Sequence, residues 1–266
     1  MKLSHRAALN GVELDSLDNR ILIQGIDEGA GKESISAVSV YGSGAVGQRV
    51  TGIHRDTLDV TVRFALRIHK QDMAARSELF EKIIAWAIGG GWLTINYKTD
   101  RRLRVRCAQL PSAGDQWKWD SVYAITFRAH EIPYWQQTES NILRVPGVRT
   151  VTKQFGVSGS VTSVMNVEFQ NTSGQTCNTF EIRTGASVFK LTALGLANGE
   201  TLIIDHTDDG LLTIGIRNGT TTRSVFSKRT VDSSDDLYVE PGIISVVLNA
   251  EKVGTLTISC AGRFAG

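Results

Sequence analysis

Residues 128–137 read RAHEIPYWQQ, and a histidine followed at once by a glutamate suggests zinc chemistry or acid–base catalysis. A zinc-protease helix needs a second histidine four residues after the first, so that both imidazoles share one helix face. Position 134 is Tyr134, and Pro133 would break such a helix. His130 and Glu131 therefore read as the end of a strand. Pro133 stops further ladder pairing, and Pro133, Tyr134 and Trp135 are expected to tuck under as an apolar clasp between two domains.

A second candidate is IIDHTDDG, residues 203–210, which gathers Asp205, His206, Asp208 and Asp209. A calcium loop of the EF-hand kind requires a glycine and a closing glutamate at fixed places, and both are missing. An Asp-Gly hairpin turn accounts for the same residues. GAGKES at 29–34 imitates a phosphate loop without its spacing, and no GxSxG nucleophile elbow occurs. Cys107, Cys177 and Cys260 are odd in number, far apart and outside any CxxC, so they read as unpaired buried thiols of a chain folded in a reducing cytoplasm. These residues give no reason to expect a catalytic site, a metal or a cofactor.

Arg102, Arg104 and Arg106 form the third candidate. In RRLRVRC they alternate with Leu103, Val105 and Cys107, so a strand would hold all three guanidiniums on one face. Nucleic acid would call for aromatic side chains interleaved on that face, and aromatics are absent from it. A solvated face and a protein–protein surface, where carboxylates of a neighbour meet the arginines, both remain open. The formal charge of the whole chain is only +2, which does not call for nucleic acid or an anionic membrane.

These residues must be positioned by a chain of 266 residues, long enough for two domains. RDTLDVTVRFALRIHK alternates with period two, Leu58, Val60, Val62, Phe64, Leu66 and Ile68 against polar partners, and predicts a half-buried strand. The period then changes. DMAARSELFEKIIAWAIG predicts a helix with Asp72 as N-cap and Gly89 as stop, and with an apolar stripe of Ala75, Leu79, Ile83 and Trp86 widened by Phe80, Ile84 and Ile88. Strands are expected at 21–26, 35–41, 92–98, 102–110 and 118–130, with turns at TDR and PSAGDQ. The glycine-rich stretch 42–52 reads as a loop or arm. All five tryptophans fall before residue 136.

Residues 136–150 read as a linker, interrupted by Pro146-Gly147. Beyond them short β segments recur at even spacing as in a sandwich, with SGQT, NGET, DDG, RNGT, EPG and AEKVG as turns. The expected class is mainly β, or β-rich α+β: a β-sandwich-like N-terminal domain with one helix (1–135), the linker, and a β-sandwich (151–266). No window approaches the roughly 18 apolar residues of a membrane span, and the first twenty residues lack the apolar run of a signal peptide.

Several of these segments carry a family likeness. YGSGAVGQRV followed by RDTLDVTVRFAL, the helix RSELFEKIIAWAI, LTINY, RLRVRCAQL and YAITFRAHEIPYW resemble the N-terminal domain of the distal tail (Dit) proteins of long-tailed, siphovirus-type bacteriophages. NGETLIID and LYVEPGIISVVL resemble hairpin and turn phrases of that family's galectin-like second domain. QNTSGQTCN departs from the Asn-Gly phrase expected after the linker, and His130-Glu131 stands where acidic or small residues are usual. The resemblance implies a structural virion protein, assembled in the host cytoplasm. Its homo-oligomer would be a hexameric ring built by the first domain, at the tail tip or baseplate. Implied partners are the tail tube protein, a central fibre or tail-associated lysin, and receptor-binding proteins. The ring would engage no specific nucleic acid sequence and insert in no membrane. A carbohydrate- or receptor-binding protein acting through the second domain is the alternative.

Overall fold

The computed structural model describes residues 5–29, 32–42, 45–68, 72–111, 122–185 and 187–265, with the backbone alone for 32–42 and 45–55. The chain separates into two compact units, Met1–Trp135 with Gly266, and Gln136–Ala265.

The first unit comprises β1 (Ala7–Leu9), β2 (Val12–Glu13), β3 (Ile21–Glu28), β4 (Lys32–Gly42), β5 (Ala45–Leu66), α1 (Met73–Ile88), β6 (Gly91–Ile95), β7 (Lys98–Gln109) and β8 (Tyr123–Ala129). The strands pair antiparallel in the order β2-β1-β6-β7-β8-β5-β3, with β4 on β5. The alternating strand behaves as its period requires: Leu58, Val60, Val62 and Phe64 are fully buried. It ends at Leu66, so Ile68 lies beyond it. Asp72 caps α1 by accepting from the Ala75 N–H at 3.0 Å, and Gly89 closes it. Leu79, Phe80, Ile83 and Ala87 are the apolar side chains that the helix buries; Ile88, expected on the stripe, is 66 % exposed because the helix ends there. Phe80 meets Tyr123 edge-on at 4.9 Å, and Trp86 meets Phe127 likewise at 5.7 Å. A charged group enters this core. Arg76 is buried and donates from Nη1 to the Tyr123 hydroxyl at 3.2 Å.

Two expectations need correcting. Of the loop or arm expected at 42–52, the loop does not hold: β5 continues through Gly47 and pairs with β4 from Lys32↔Thr57 to Gly42↔Ala45. Residues 43 and 44, the PSAGDQ turn after Pro111, Trp117 and Trp119 lie outside the described residues. TDR is not a turn either. β6 and β7 meet at Ile95↔Lys98, so the turn is Asn96-Tyr97, and Asn96 ties back to Arg6 through both its backbone N–H and its side-chain oxygen.

Next comes β9 (Trp135–Gln137). The second unit then comprises β10 (Asn141–Val157), β11 (Ser163–Val164), β12 (Asn166–Asn171), β13 (Phe180–Arg183), β14 (Val188–Leu191), β15 (Thr201–His206), β16 (Leu212–Asn218), β17 (Thr221–Ser224), β18 (Tyr238–Val239), β19 (Gly242–Cys260) and β20 (Arg263–Phe264). The main order is β14-β13-β19-β12-β15-β16-β17, with β10 on the other side of β19. The axis is β19. It carries β13 along Val247–Ala250 and β12 along Gly254–Ser259 on one edge, and β10 along Gly242–Asn249 and again from Gly254 to Cys260 on the other. The switch of partner lets the sheet fold over a core that includes Met165, Phe169, Phe180, Phe189, Leu202 and Leu248.

The expected linker 136–150 is mostly strand: β10 begins at Asn141 and pairs from the start. Pro146-Gly147 interrupts the ladder only as a bulge, with Gly147 at φ 67, between Val145↔Leu256 and Val148↔Gly254. AEKVG, expected as a turn, lies inside β19 at a second irregularity, where the register jumps from Val148↔Gly254 to Thr150↔Asn249 and leaves Ala250–Val253 without a β10 partner. Gly254 is needed there for room, since a Cβ would come within 2.4 Å of both the Gln170 carbonyl oxygen and the Phe169 ring.

Candidate assembly interface

In the first unit the apolar side chains of β5, β7 and β8 are buried, and the alternate positions form an outward face. On β7, Leu103 and Val105 are buried while Arg102, Arg104 and Arg106 point the other way. The three arginines do share a face, but they do not stand as isolated like charges. Trp92 of β6 lies opposite Arg104 in register. The Arg102 guanidinium sits 4.0 Å from the centre of the Trp92 ring, and that of Arg104 5.8 Å. This corrects the expectation that the arginine face lacks an aromatic. The neighbouring strand supplies it, and only the Asn96-Tyr97 turn, which fixes the register, could have revealed it.

Arg106 is held differently. Its Nη2 and Nε donate to Oε1 of Glu131 at 2.9 and 3.2 Å. A backbone N–H, with Arg106 and His130 adding to it, holds the Glu131 carboxyl below the usual range even though burial works the other way. This is the role of the glutamate in RAHEIPYW. His130 itself is exposed. Across the sheet, Arg106 pairs in register with Arg128, whose Nε and Nη2 clamp Asp59 at 2.6 and 2.7 Å. The row continues through the Thr61–Thr126 hydroxyl contact at 3.0 Å and the Arg63–Asp27 pair at 2.7 Å. The result is a charged, rigidly paired face with a stacked tryptophan at one end.

The three clasp residues take unequal places. Pro133 is buried, Tyr134 half-buried and Trp135 fully buried. The Trp135 indole N–H donates to Oε2 of Glu28, the Lys98 ammonium shares that oxygen, and Lys98 also lies 4.8 Å from the Trp135 ring centre. Trp135 is thus anchored inside the first unit. Beside it, burial and then Glu28 push the Tyr97 phenol up to about 12.

In the second unit, His206 is nearly buried, with Nδ1 2.7 Å from Asn166 Oδ1 and Nε2 2.8 Å from Asp236 Oδ1. Asp205, Asp208 and Asp209 are not drawn to a common point with it; among the described residues no group of three His, Cys, Asp or Glu side chains could hold a metal ion. Cys177 and Cys260 are buried and Cys107 is half-buried, and all three are free thiols.

No family model matches the sequence, and the search of curated proteins finds no relative. Solved structures do match. The chain superposes on the Dit protein (gp 19.1) of phage SPP1, described as a hub adsorption apparatus in phages infecting Gram-positive bacteria. The TM-score is 0.66 at 11 % identity, over 96 % of this chain and 98 % of that one. It also matches the phage P2 baseplate in its activated conformation with calcium, at TM-score 0.53 and 7 % identity over 97 % and 98 % of the two chains. The corresponding structure with strontium gives 0.50 and 9 % over 96 % and 97 %. No helix among the described residues is long and apolar enough to cross a membrane. From first strand to last, this chain has the fold of phage tail-hub and baseplate proteins.

Proposed function

We propose that the protein is a structural hub of a phage tail tip, non-enzymatic, and built into the virion. The observation that carries this reading is the extent of the likeness: the match to hub and baseplate chains covers both units, with almost nothing left over on either side. In this reading residues 1–135 form a closed ring, most simply of six copies, and the galectin-like second unit projects from it. The ring joins the tail tube to a central fibre or tail-associated lysin and carries receptor-binding proteins. The outward face of Trp92, Arg102, Arg104 and Arg106 then meets a neighbouring subunit or lines the lumen. A head-to-tail contact between unlike patches must close into a ring or extend as a filament, and a hub requires closure.

Native mass spectrometry of the full chain across micromolar concentrations, with negative-stain imaging, tests the reading. A closed ring of six is expected. A stable twofold dimer would overturn it, because an isologous contact has the wrong symmetry for a tail tip.

A further inference from the structure

We infer that the outer face of the second unit carries a binding groove for a neutral, hydroxyl-rich chain, an oligosaccharide or similar polyol. Three cross-strand rows build it. Ile142, Ser259 and Asn166 form the first; Arg144, Thr257, Glu168 and Ile203 the second; Thr255, Gln170, Thr201 and Arg217 the third. Their sequence neighbours Val167, Phe169, Leu202, Ile204, Leu256 and Ile258 are buried, so alternation turns the rows outward. Two hollows of about 250 and 340 Å³ lie along these rows and share Glu168 and Thr257 as walls. From β10 to β16 the groove crosses five strands, roughly 19 Å at the usual strand spacing. That length suits an oligomer better than a single small ring.

The lining selects the ligand. Thr and Ser hydroxyls and the Gln170 and Asn166 amides both donate and accept, Glu168 and Asp205 accept only, and Arg144 and Arg217 donate only. Vicinal hydroxyls need such a mixture. The two carboxylates and two guanidiniums balance, so charge alone gives an anionic polymer no preference. Glu168 is already aligned by Arg217 at 3.4 Å, and both remain accessible. Arg144 has no partner among the described residues.

A second, separate observation marks the site as built. Asn166 is fixed from behind by His206, itself held by Asp236, which also accepts from the Leu237 N–H at 2.6 Å. The buried imidazole occupies one end of the Asn166 amide and leaves the other for a ligand. His206 is therefore a positioning residue. No aromatic side chain lines either hollow, so affinity rests on hydrogen bonds and is modest for one copy. In the ring proposed above, several copies would multiply it.

The test titrates the full-length protein by NMR and calorimetry with maltotetraose, cellotetraose and chitotetraose as neutral probes, and tetragalacturonate as the charged control. At least one neutral probe is expected to bind with a Kd below about 1 mM. Glu168→Gln and Arg144→Ala are each expected to weaken it about tenfold. His206→Phe should weaken it less, through Asn166, and should lose the shift of the Asn166 amide signals on titration. Because His206→Phe could disturb folding, exposed Glu168 and Arg144 carry the decision. No binding by any neutral probe, binding unchanged in both variants, or binding of tetragalacturonate alone would each overturn the inference. None of these results alters the ring mass, so the two proposals fail separately.

Discussion

The indole N–H of Trp135 donates to Oε2 of Glu28 at 2.8 Å, across 107 residues of sequence. The same oxygen takes the Lys98 ammonium at 2.5 Å, and both charged side chains are mostly covered. The last residue of the first unit is therefore tied to its third strand through one carboxylate. Glu28→Ala would leave an indole donor and an ammonium without their acceptor in a poorly hydrated place, at a cost of about 2–3 kcal/mol. Trp135→Phe should cost less than Glu28→Ala in hydrogen bonding but more in lost contact. Urea unfolding of the full chain checks this: the midpoint of one transition should fall while the second unit's transition stays in place.

The arginine face predicts a separation of assembly from folding. Replacing Arg102, Arg104 and Arg106 with Gln is expected to weaken oligomers and flatten their dependence on salt, with little change in the fold. Arg106 forms an exposed pair worth about 0–1 kcal/mol to stability. Stacking on Trp92 adds about 0.5–1 kcal/mol at an exposed site. Sedimentation velocity at low and moderate salt, beside circular dichroism of the same samples, reads both. Unchanged oligomers would return the three arginines to a solvated role.

Glu200 should make the second unit sensitive to acid. Burial works to raise its pKa, but the Ala197 N–H, Arg223 at 2.8 Å and Asn218 outweigh it, and the carboxyl stays below its ordinary value. A carboxylate depressed by folding contributes stability that is fully present above its unfolded pKa, near 4.3, and is lost as pH falls through the folded value. Thermal melts between pH 7 and pH 3 should show the second transition dropping below about pH 4. In Glu200→Gln that part of the drop should shrink, on a baseline already lowered at pH 7.

Gly254 sits where β19 changes partner, and an added Cβ would meet backbone and a buried ring at once. Gly254→Ala should destabilise the second unit by roughly 1–3 kcal/mol. Gly156 has open space at its Cβ and makes the matched control. A similar loss in both variants, measured by chemical unfolding, would show that strand propensity and not crowding is responsible.

What the sequence revealed, and what it hid, follows one physical line. The period-two run from Leu58 to Phe64 and the helix between Asp72 and Gly89 were readable because burial and capping are local. β10 was not, since it lies largely exposed and carries Pro146-Gly147 as a bulge, so neither periodicity nor composition marks it. Trp92 beneath Arg102 and Arg104 was hidden for a different reason. Its position depends on hairpin register, which a misplaced turn of a few residues changes. Glu131 was noticed for the wrong chemistry, and its partner Arg106 lies 25 residues away. The His206 clamp draws on β12, β15 and the chain before β18, so no single window contains it.

The register of the longest ladder also has a mechanical consequence. Asn141 pairs with Cys260, so the first residue of β10 and the last residue of β19 meet at the same end of the sheet. Tension applied at those two points would load the backbone bonds in sequence and peel β10 from β19 like a zipper. The same tension between Asn141 and Gly242, at opposite ends, would load the whole ladder in shear. The unit should therefore yield at low force when pulled at Asn141 and Cys260 and resist when pulled lengthwise, a difference that optical tweezers with handles at the two pairs of sites would resolve.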